Sequence, residues 1–371
     1  MKKVLIAPNS FKGCANSVEI ADLLQNYIKE FSGIQYPDSV TAPLSDGGDG
    51  FLEIFSHIEN AQLLYADVPC DKGNAVTGLP YVKLFNSLMI ESAKIIGLGS
   101  EIPANNHPLK ISSAGVGELI KSLKILYESN SGVDEIIIGV GGTGTVDMGI
   151  GMLSVFGLKL LDDKNNELPP LPEYFPFVNK IIAPNIKLPF RIKFVVDCNN
   201  QLTGEFGAAR VYGPQKGLDD SGIKIIEKGF DNILNILGLS GENFSGAGGG
   251  LASLITSYYD VTLINSEKFI SEYILKDIEI SDFDLIITGE GKLDEQSFME
   301  KAVGIIGNLA IRNNLPLAVV CGSSTIKVSN KNWYIIEISK YFDNFKDSLK
   351  HYKEGIKQAS VEIVSILNTK I

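Results

Sequence analysis

The sequence predicts an α/β protein built on parallel sheet with helices on both faces. Three observations predict it. Short apolar runs of strand length alternate with amphipathic stretches of helix length along most of the 371 residues, the pattern of strand–helix–strand units. The length fits two domains at about 150 residues each. Several apolar runs end in glycine-rich turns bearing acids, and open α/β sheets hold ligands at the carboxyl ends of their strands.

The elements follow in order. Val4 to Ala7 reads as a buried strand and Ser17 to Phe31 as the helix after it. A second strand is expected over Val40 to Leu44, then a helix from Gly50 to Ile58. Leu63 to Val68, Ala75 to Val82 and Ser87 to Ile90 read as extended segments around the turn Asp71-Lys72-Gly73-Asn74, which marks entry into a second domain. Helix returns at Gly115 to Tyr127. A strand over Glu135 to Val140 leads through a glycine-rich turn into a helix ending near Phe156. Residues 165–190, rich in proline and polar side chains, read as a long surface excursion. Ile192 to Val196 is a strand, and helices are expected at Asp219 to Leu237 and Ala247 to Tyr258. Asp284 to Thr288, Leu317 to Val320 and Trp333 to Ile338 restore the strand rhythm. The expected organisation is a discontinuous α/β domain of residues 1–60 and 265–371, with a different α/β domain, 61–264, inserted in it.

Composition narrows the function. Lys and Arg number 33 against 44 Asp and Glu, a net charge of −11. Such a surface repels phosphate backbones, so no nucleic-acid partner is expected. The hydrophobic fraction of 44 % is ordinary for a globular chain and excludes a disordered one. Cys14, Cys70, Cys198 and Cys321 form no C-x-x-C pair, so neither a zinc site nor a disulfide framework is indicated. The run Val4 to Pro8 is short for a signal-peptide core, and no apolar run reaches the length of a membrane span. A cytoplasmic protein with no membrane contact is expected.

The chemistry-bearing segments follow strands. Ser45-Asp46-Gly47-Gly48-Asp49-Gly50 comes after the second strand, and Gly289-Glu290-Gly291-Lys292-Leu293-Asp294-Glu295 after Asp284–Thr288. Asp197 comes after Ile192–Val196, and Asn9-Ser10-Phe11-Lys12-Gly13 after the first strand. Glycines let backbone N–H groups approach an anion, and acids there suit Mg²⁺, which takes one or two carboxylates plus substrate phosphates. One Asp-Gly pair is an ordinary turn signal; its recurrence after separate strands points further. Gly139-Val-Gly-Gly-Thr-Gly144 matches G-x-G-x-x-G, and Asp162 and Asp163 lie close to the acidic position of a dinucleotide fold. Binding of NAD by an oxidoreductase is therefore one reading, and an anion-binding helix N-terminus the plainer one. Ser245-Gly-Ala-Gly-Gly-Gly-Leu251 is either a second anion cradle or a flexible helix entry. No G-x-x-x-x-G-K-[ST] segment occurs, so this is not a P-loop enzyme.

Several segments resemble the bacterial glycerate kinase family, which is unrelated to P-loop and protein kinases. Ala7-Pro-Asn-Ser-Phe-Lys-Gly13 resembles its P-D-S-F-K-G, and Pro43 to Gly50 its P-M-A-D-G-G-E-G. Glu91-Ser-Ala93 resembles E-M-A, and Gly139 to Met152 resembles G-I-G-G-S-A-T-N-D-G-G-A-G-M. Asp197 to Leu202 and Gly213 to Gly217 resemble C-D-V-x-N-P-L and F-G-P-Q-K-G. Thr288 to Asp294 with Gln296 and Lys301 resembles T-G-E-G-x-x-D-x-Q-x-x-x-G-K. The chain departs from these patterns at Asn9, Asn106, His107, Val146, Met148 and Glu300; at Met148 the family has a glycine.

The resemblance implies a flavodoxin-like (Rossmann-like) domain with a second α/β domain and an active site in the cleft between them. It implies ATP-dependent phosphorylation of D-glycerate, usually at the 2-hydroxyl. A 3-phosphoglycerate product, a related sugar-acid kinase, and a non-catalytic sugar-acid sensor on the same scaffold are the alternatives. Phosphoryl transfer needs positioning, charge neutralisation and a Mg²⁺ bridge. Asp197, Lys12 and Asp294 are the catalytic candidates, with Asp197 accepting the substrate hydroxyl proton. Ser10, Lys216, Lys301, Gly141, Gly142, Thr143, Gly144, Thr145 and Asp147 are candidates for binding substrate or phosphate. Asp46, Asp49 and Glu290 are the candidate metal ligands. ATP, Mg²⁺ and glycerate are the expected cofactors and partners, on a monomer or homodimer.

Overall fold

The structure, a computed structural model, describes residues 2–33, 37–69, 75–97, 107–127, 132–196, 200–298, 301–326 and 330–369. The chain divides into two compact units, Met1–Ile54 with Ser266–Ile371, and Phe55–Asn265.

The chain opens the first unit with β1 (Lys3–Pro8) and β2 (Asp38–Thr41). The helix Ser17–Ser32 lies between them. Asn16 caps it by accepting a hydrogen bond from the Glu19 N–H at 2.9 Å, satisfying one of the orphan donors of a helix start. Its buried face, Ile20, Leu24 and Ile28, repeats at helical spacing. The second unit then runs through β3 (Gln62–Pro69), β4 (Ala75–Leu84), β5 (Ser87–Glu91), β6 (Glu135–Gly139), β7 (Lys159–Leu161), β8 (Glu167–Leu168), β9 (Lys180–Ile182), β10 (Arg191–Val196) and β11 (Val261–Asn265). The chain returns to the first unit with β12 (Leu285–Leu293), β13 (Leu317–Ser324) and β14 (Trp333–Glu337).

Among the described residues, the first unit holds a parallel sheet in the order β14-β13-β12-β1-β2. Val4 to Ala7 are fully buried, as expected of a central parallel strand covered on both faces. Ile20, Leu24 and Ile28 meet Ile356, Ala359 and Ile363 of the helix Tyr352–Thr369 in one core over this sheet. The second unit holds a six-stranded sheet, β11-β10-β6-β5-β4-β3, parallel from β11 to β5 and antiparallel at β4 and β3. Its core is larger and centres on Ile136, Ile138, Leu153, Phe194 and Phe230. The fold class is thus the α/β, parallel-sheet one expected from the sequence. No helix among the described residues is long and apolar enough to cross a membrane.

Five local expectations need correction. The second strand ends at Thr41, not Leu44; it is the sheet edge, and Pro43 brings no N–H to the ladder, although the Ala42 and Leu44 N–H groups still reach the carbonyls of Ile6 and Pro8. The segment Gly289 to Leu293 is strand, not loop, because β12 continues beside β13 with Glu290 opposite Cys321. The 165–190 excursion is anchored: Phe175 is fully buried, and Asn232 on the helix Asp220–Leu237 donates to the carbonyls of Phe175 and Val178. No continuous helix spans 247–258; a four-residue helix, Ala247–Gly250, gives way to a 3₁₀ turn at Leu254–Ser257. Finally, the helix after β6 starts at Ile150, well beyond Gly144. The turn expected at Asp71–Asn74 lies outside the described residues.

Candidate active site

In the first unit the carboxyl ends of β1 and β12 carry the charged residues. Beyond β1 the chain makes a tight reversal, with the Phe11 N–H on the Ala15 carbonyl at 2.9 Å. Lys12 stands exposed at its tip, before Gly13 at φ 80°. Asn9 accepts from the Ser10 N–H at 2.8 Å and so fixes the start of this loop. Gly291 of β12 runs close beneath: a Cβ there would lie 3.3 Å from the Lys12 nitrogen. That approach brings Lys12, Glu290, Asp294 and Lys301 to one cavity of about 260 Å³. Ser10, half-buried, and Asp49, exposed, are outside its lining.

Glu290 is the electrostatic centre of this group. Burial pushes its carboxyl above the ordinary glutamate range. A hydrogen bond from Ser297 and the Lys301 charge work against that rise, while Asp294 and Asp46 add to it. Its Oε1 is buried with no hydrogen-bond partner, a costly condition unless a ligand completes it. Asp294 pairs with Lys292 at 3.4 Å and begins the 3₁₀ turn Glu295–Phe298. The Asp294 N–H donates to Ser297 Oγ at 3.0 Å, so Ser297, almost fully buried, ties the two acids together. Sequence reasoning missed Ser297; a serine after Gln296 carries no distinguishing signal. Asp46 sits in the Ser45–Gly50 turn, its Oδ1 accepting from the Gly48 N–H at 3.3 Å. Cys321, opposite Glu290, is buried and its thiol pushed up to about 12, so it stays protonated.

The second unit brings another set together. Lys216 is 7 % exposed, and its ammonium donates to the Thr145 carbonyl at 2.7 Å and to Thr143 Oγ1 at 3.4 Å. Thr143 Oγ1 donates in turn to the Gly248 carbonyl at 2.9 Å. The triple glycine makes that packing possible. Gly248, Gly249 and Gly250 all have positive φ, and a Cβ on Gly249 would lie 2.0 Å from the Thr145 carbonyl oxygen and 3.0 Å from Lys216 Nζ. The segment is therefore a close-packed support for the Val140–Thr145 turn, a role neither sequence reading gave it.

The helix N-terminus that the turn was expected to offer an anion is already filled. Asp147 is fully buried and accepts from the N–H groups of Gly149 (3.1 Å) and Gly151 (3.2 Å). It also accepts from the Ser113 N–H and Oγ, both at 2.7 Å. Burial raises its carboxyl despite these four donors. Asp147 thus bonds its own chain. Gly144 is committed too, its N–H on the Ile96 carbonyl at 2.7 Å. Gly141 and Gly142 are the members of the turn that keep solvent access. Asp197, Asn106 and Glu300 lie outside the described residues. His107 caps the 3₁₀ turn Pro108–Lys110, accepting from the Leu109 N–H.

Comparison with known proteins adds the deciding observation: residues 4–368 match the family described as the Glycerate kinase family. The chain belongs to that family. A glycerate kinase of Neisseria meningitidis serogroup B is 27 % identical over 379 residues, covering 99 % of each chain. A glycerate 2-kinase of Escherichia coli K12 is 30 % identical over 337 residues, 87 % of this chain and 86 % of its own. The crystal structure of a candidate glycerate kinase 2 from Salmonella typhimurium LT2 superposes with a TM-score of 0.77 at 26 % identity, covering 99 % of this chain and 98 % of its own. Glycerate kinase membership displaces the NAD reading of Gly139–Gly144, and the geometry agrees. A dinucleotide fold needs the helix to open directly on the glycines, whereas here it opens at Ile150 under Asp147. Asp162 bonds the Lys164 and Asn166 N–H groups in its own turn.

Proposed function

We propose that this chain phosphorylates D-glycerate with ATP at the 2-hydroxyl, giving 2-phosphoglycerate and ADP, in the cytoplasm and as a monomer or homodimer. The observation that carries the reading is the cavity gathering Lys12, Lys301, Glu290 and Asp294. Phosphoryl transfer asks a protein for positioning and charge neutralisation, and such a set supplies both. The Glycerate kinase family match supports the acid substrate; the name of the Escherichia coli relative supports the 2-position.

Lys12 and Lys301 set ammonium groups against phosphate oxygens. The hydroxyl oxygen of glycerate forms the new bond to the γ-phosphorus, the bond to ADP breaks, and the hydroxyl proton passes to a carboxylate. Asp197 takes that proton in this reading, on its motif alone. Mg²⁺ fits the acids present in this reading, because Glu290 offers a buried Oε1 without a hydrogen-bond partner and shares its cavity with Asp294, while the Asp46 charge acts on its carboxyl. Asp49 shares the Asp46 turn. When bound, the ion neutralises charge building on the transferred group. Gly141 and Gly142 offer N–H groups to an anion, while Thr143, Gly144, Thr145, Asp147 and Lys216 hold the turn in shape.

The test reads the product of ATP and D-glycerate with enolase, which dehydrates 2-phosphoglycerate but not its 3-isomer. Phosphoenolpyruvate is expected without added phosphoglycerate mutase. Its appearance only after mutase is added overturns the 2-position, and no ADP formation with D-glycerate overturns the activity.

A further inference from the structure

The lining of the first unit's cavity is not all charged. Phe11 and Ile338, both buried, also line the cavity. Phe345 and Leu349, one turn apart on the helix Phe345–Lys350, stand beside it 52 % and 40 % exposed. Two large apolar side chains left in water at the lip of a cavity are where a flat apolar ligand gains most from desolvation. Glycerate has no apolar part to put there. A nucleotide has both parts, a purine face and a polyphosphate tail.

The charge balance of the lining favours the tail. Lys12, Lys292 and Lys301 face Glu290 and Asp294, three cations to two acids, in a chain of net charge −11. The cavity is therefore a local exception to the protein's acidity, as an anion site must be.

We infer that this cavity is the nucleotide subsite: the adenine of ATP lies on Phe345 and Leu349, and its phosphates run toward Lys12 and Lys301. The inference rests on the glycerate kinase reading and adds to it which residues hold the base. It assigns a nucleotide-binding role to the helix Phe345–Lys350, which carries none of the motifs that relate this chain to its family.

Two measurements test it. The first is Phe345→Trp, titrated with ATP, inorganic tripolyphosphate and D-glycerate separately, against wild-type protein, whose only tryptophan is Trp333. Quenching by ATP and not by the other two is expected. Equal quenching by tripolyphosphate, quenching by glycerate alone, or no quenching by ATP each overturns the placement. The second is Phe345→Ala and Leu349→Ala, each checked for an unchanged melting temperature. The KM for ATP is expected to rise about ten- to hundredfold, the scale of a lost base–aromatic contact, with the KM for D-glycerate nearly unchanged. A KM for ATP that does not move overturns the inference. A wild-type enzyme that binds ATP but does not transfer its phosphoryl group to glycerate overturns the activity instead, and the fluorescence titration still decides the subsite.

Discussion

Asp147 gives the sharpest stability test, because its hydrogen bonds are few, short and internal. Its Oδ2 accepts from the Ser113 N–H, Ser113 Oγ and the Gly151 N–H; its Oδ1 accepts from the Gly149 N–H. Asp147→Ala leaves four buried donors facing a methyl group. An orphaned buried donor costs about 1–3 kcal/mol, and removing a buried carboxylate returns several kcal/mol of desolvation. The net loss expected is about 3–4 kcal/mol, roughly a 10 °C fall in Tm for a unit of this size. Asp147→Asn keeps three of the four bonds when its amide oxygen takes the Oδ2 position, and turns one pair into donor facing donor. Its expected cost is about 1–2 kcal/mol. Scanning calorimetry measures both, and amide exchange at Gly149 and Gly151 localises the effect. Equal destabilisation by the two substitutions, or unchanged exchange at those two amides, refutes the account of Asp147 as the anchor of this turn.

Gly249→Ala, which asks a Cβ to sit 2.0 Å from the Thr145 carbonyl oxygen at φ +75°, should destabilise by about 3 kcal/mol or more, as left-handed backbone alone costs about 1–2; a thermal melt within 1 °C of wild type, roughly a quarter of a kcal/mol, contradicts the close packing. Lys12→Ala should lower kcat/KM about tenfold with an unchanged melt, and an unchanged kcat/KM would mark Lys12 as a solvated surface residue. Exhaustive chelation should abolish ATP-dependent turnover and added Mg²⁺ restore it; turnover that survives chelation removes the metal from the mechanism.

What the sequence made legible was local. Val4–Ala7 and Glu135–Val140 read as buried strands because a parallel strand covered on both faces is a near-continuous apolar run, a property of a few adjacent residues. The alternation of such runs with amphipathic helices then implied the fold class. The motif segments of Lys12, Glu290 and Asp294 were also legible, since each directly continues an apolar run of strand length. Glycine runs misled, because what a glycine is for depends on its neighbours in space. Gly248 supports a threonine 105 residues earlier in the chain, a contact no local pattern carries, so the run read as a cradle or a helix entry. Met148 makes the same point from the opposite side. The related motif has glycine there, and Met148 is held at φ 55°, where a side chain costs energy. Its side chain is fully buried in the core of the second unit, so the burial it gains offsets the backbone it strains. The glycines of this turn thus record a backbone shape, and one position keeps the shape without the glycine. Residues that make a site by packing rather than by motif, Ser297 and Phe345 among them, stay invisible until the chain is folded.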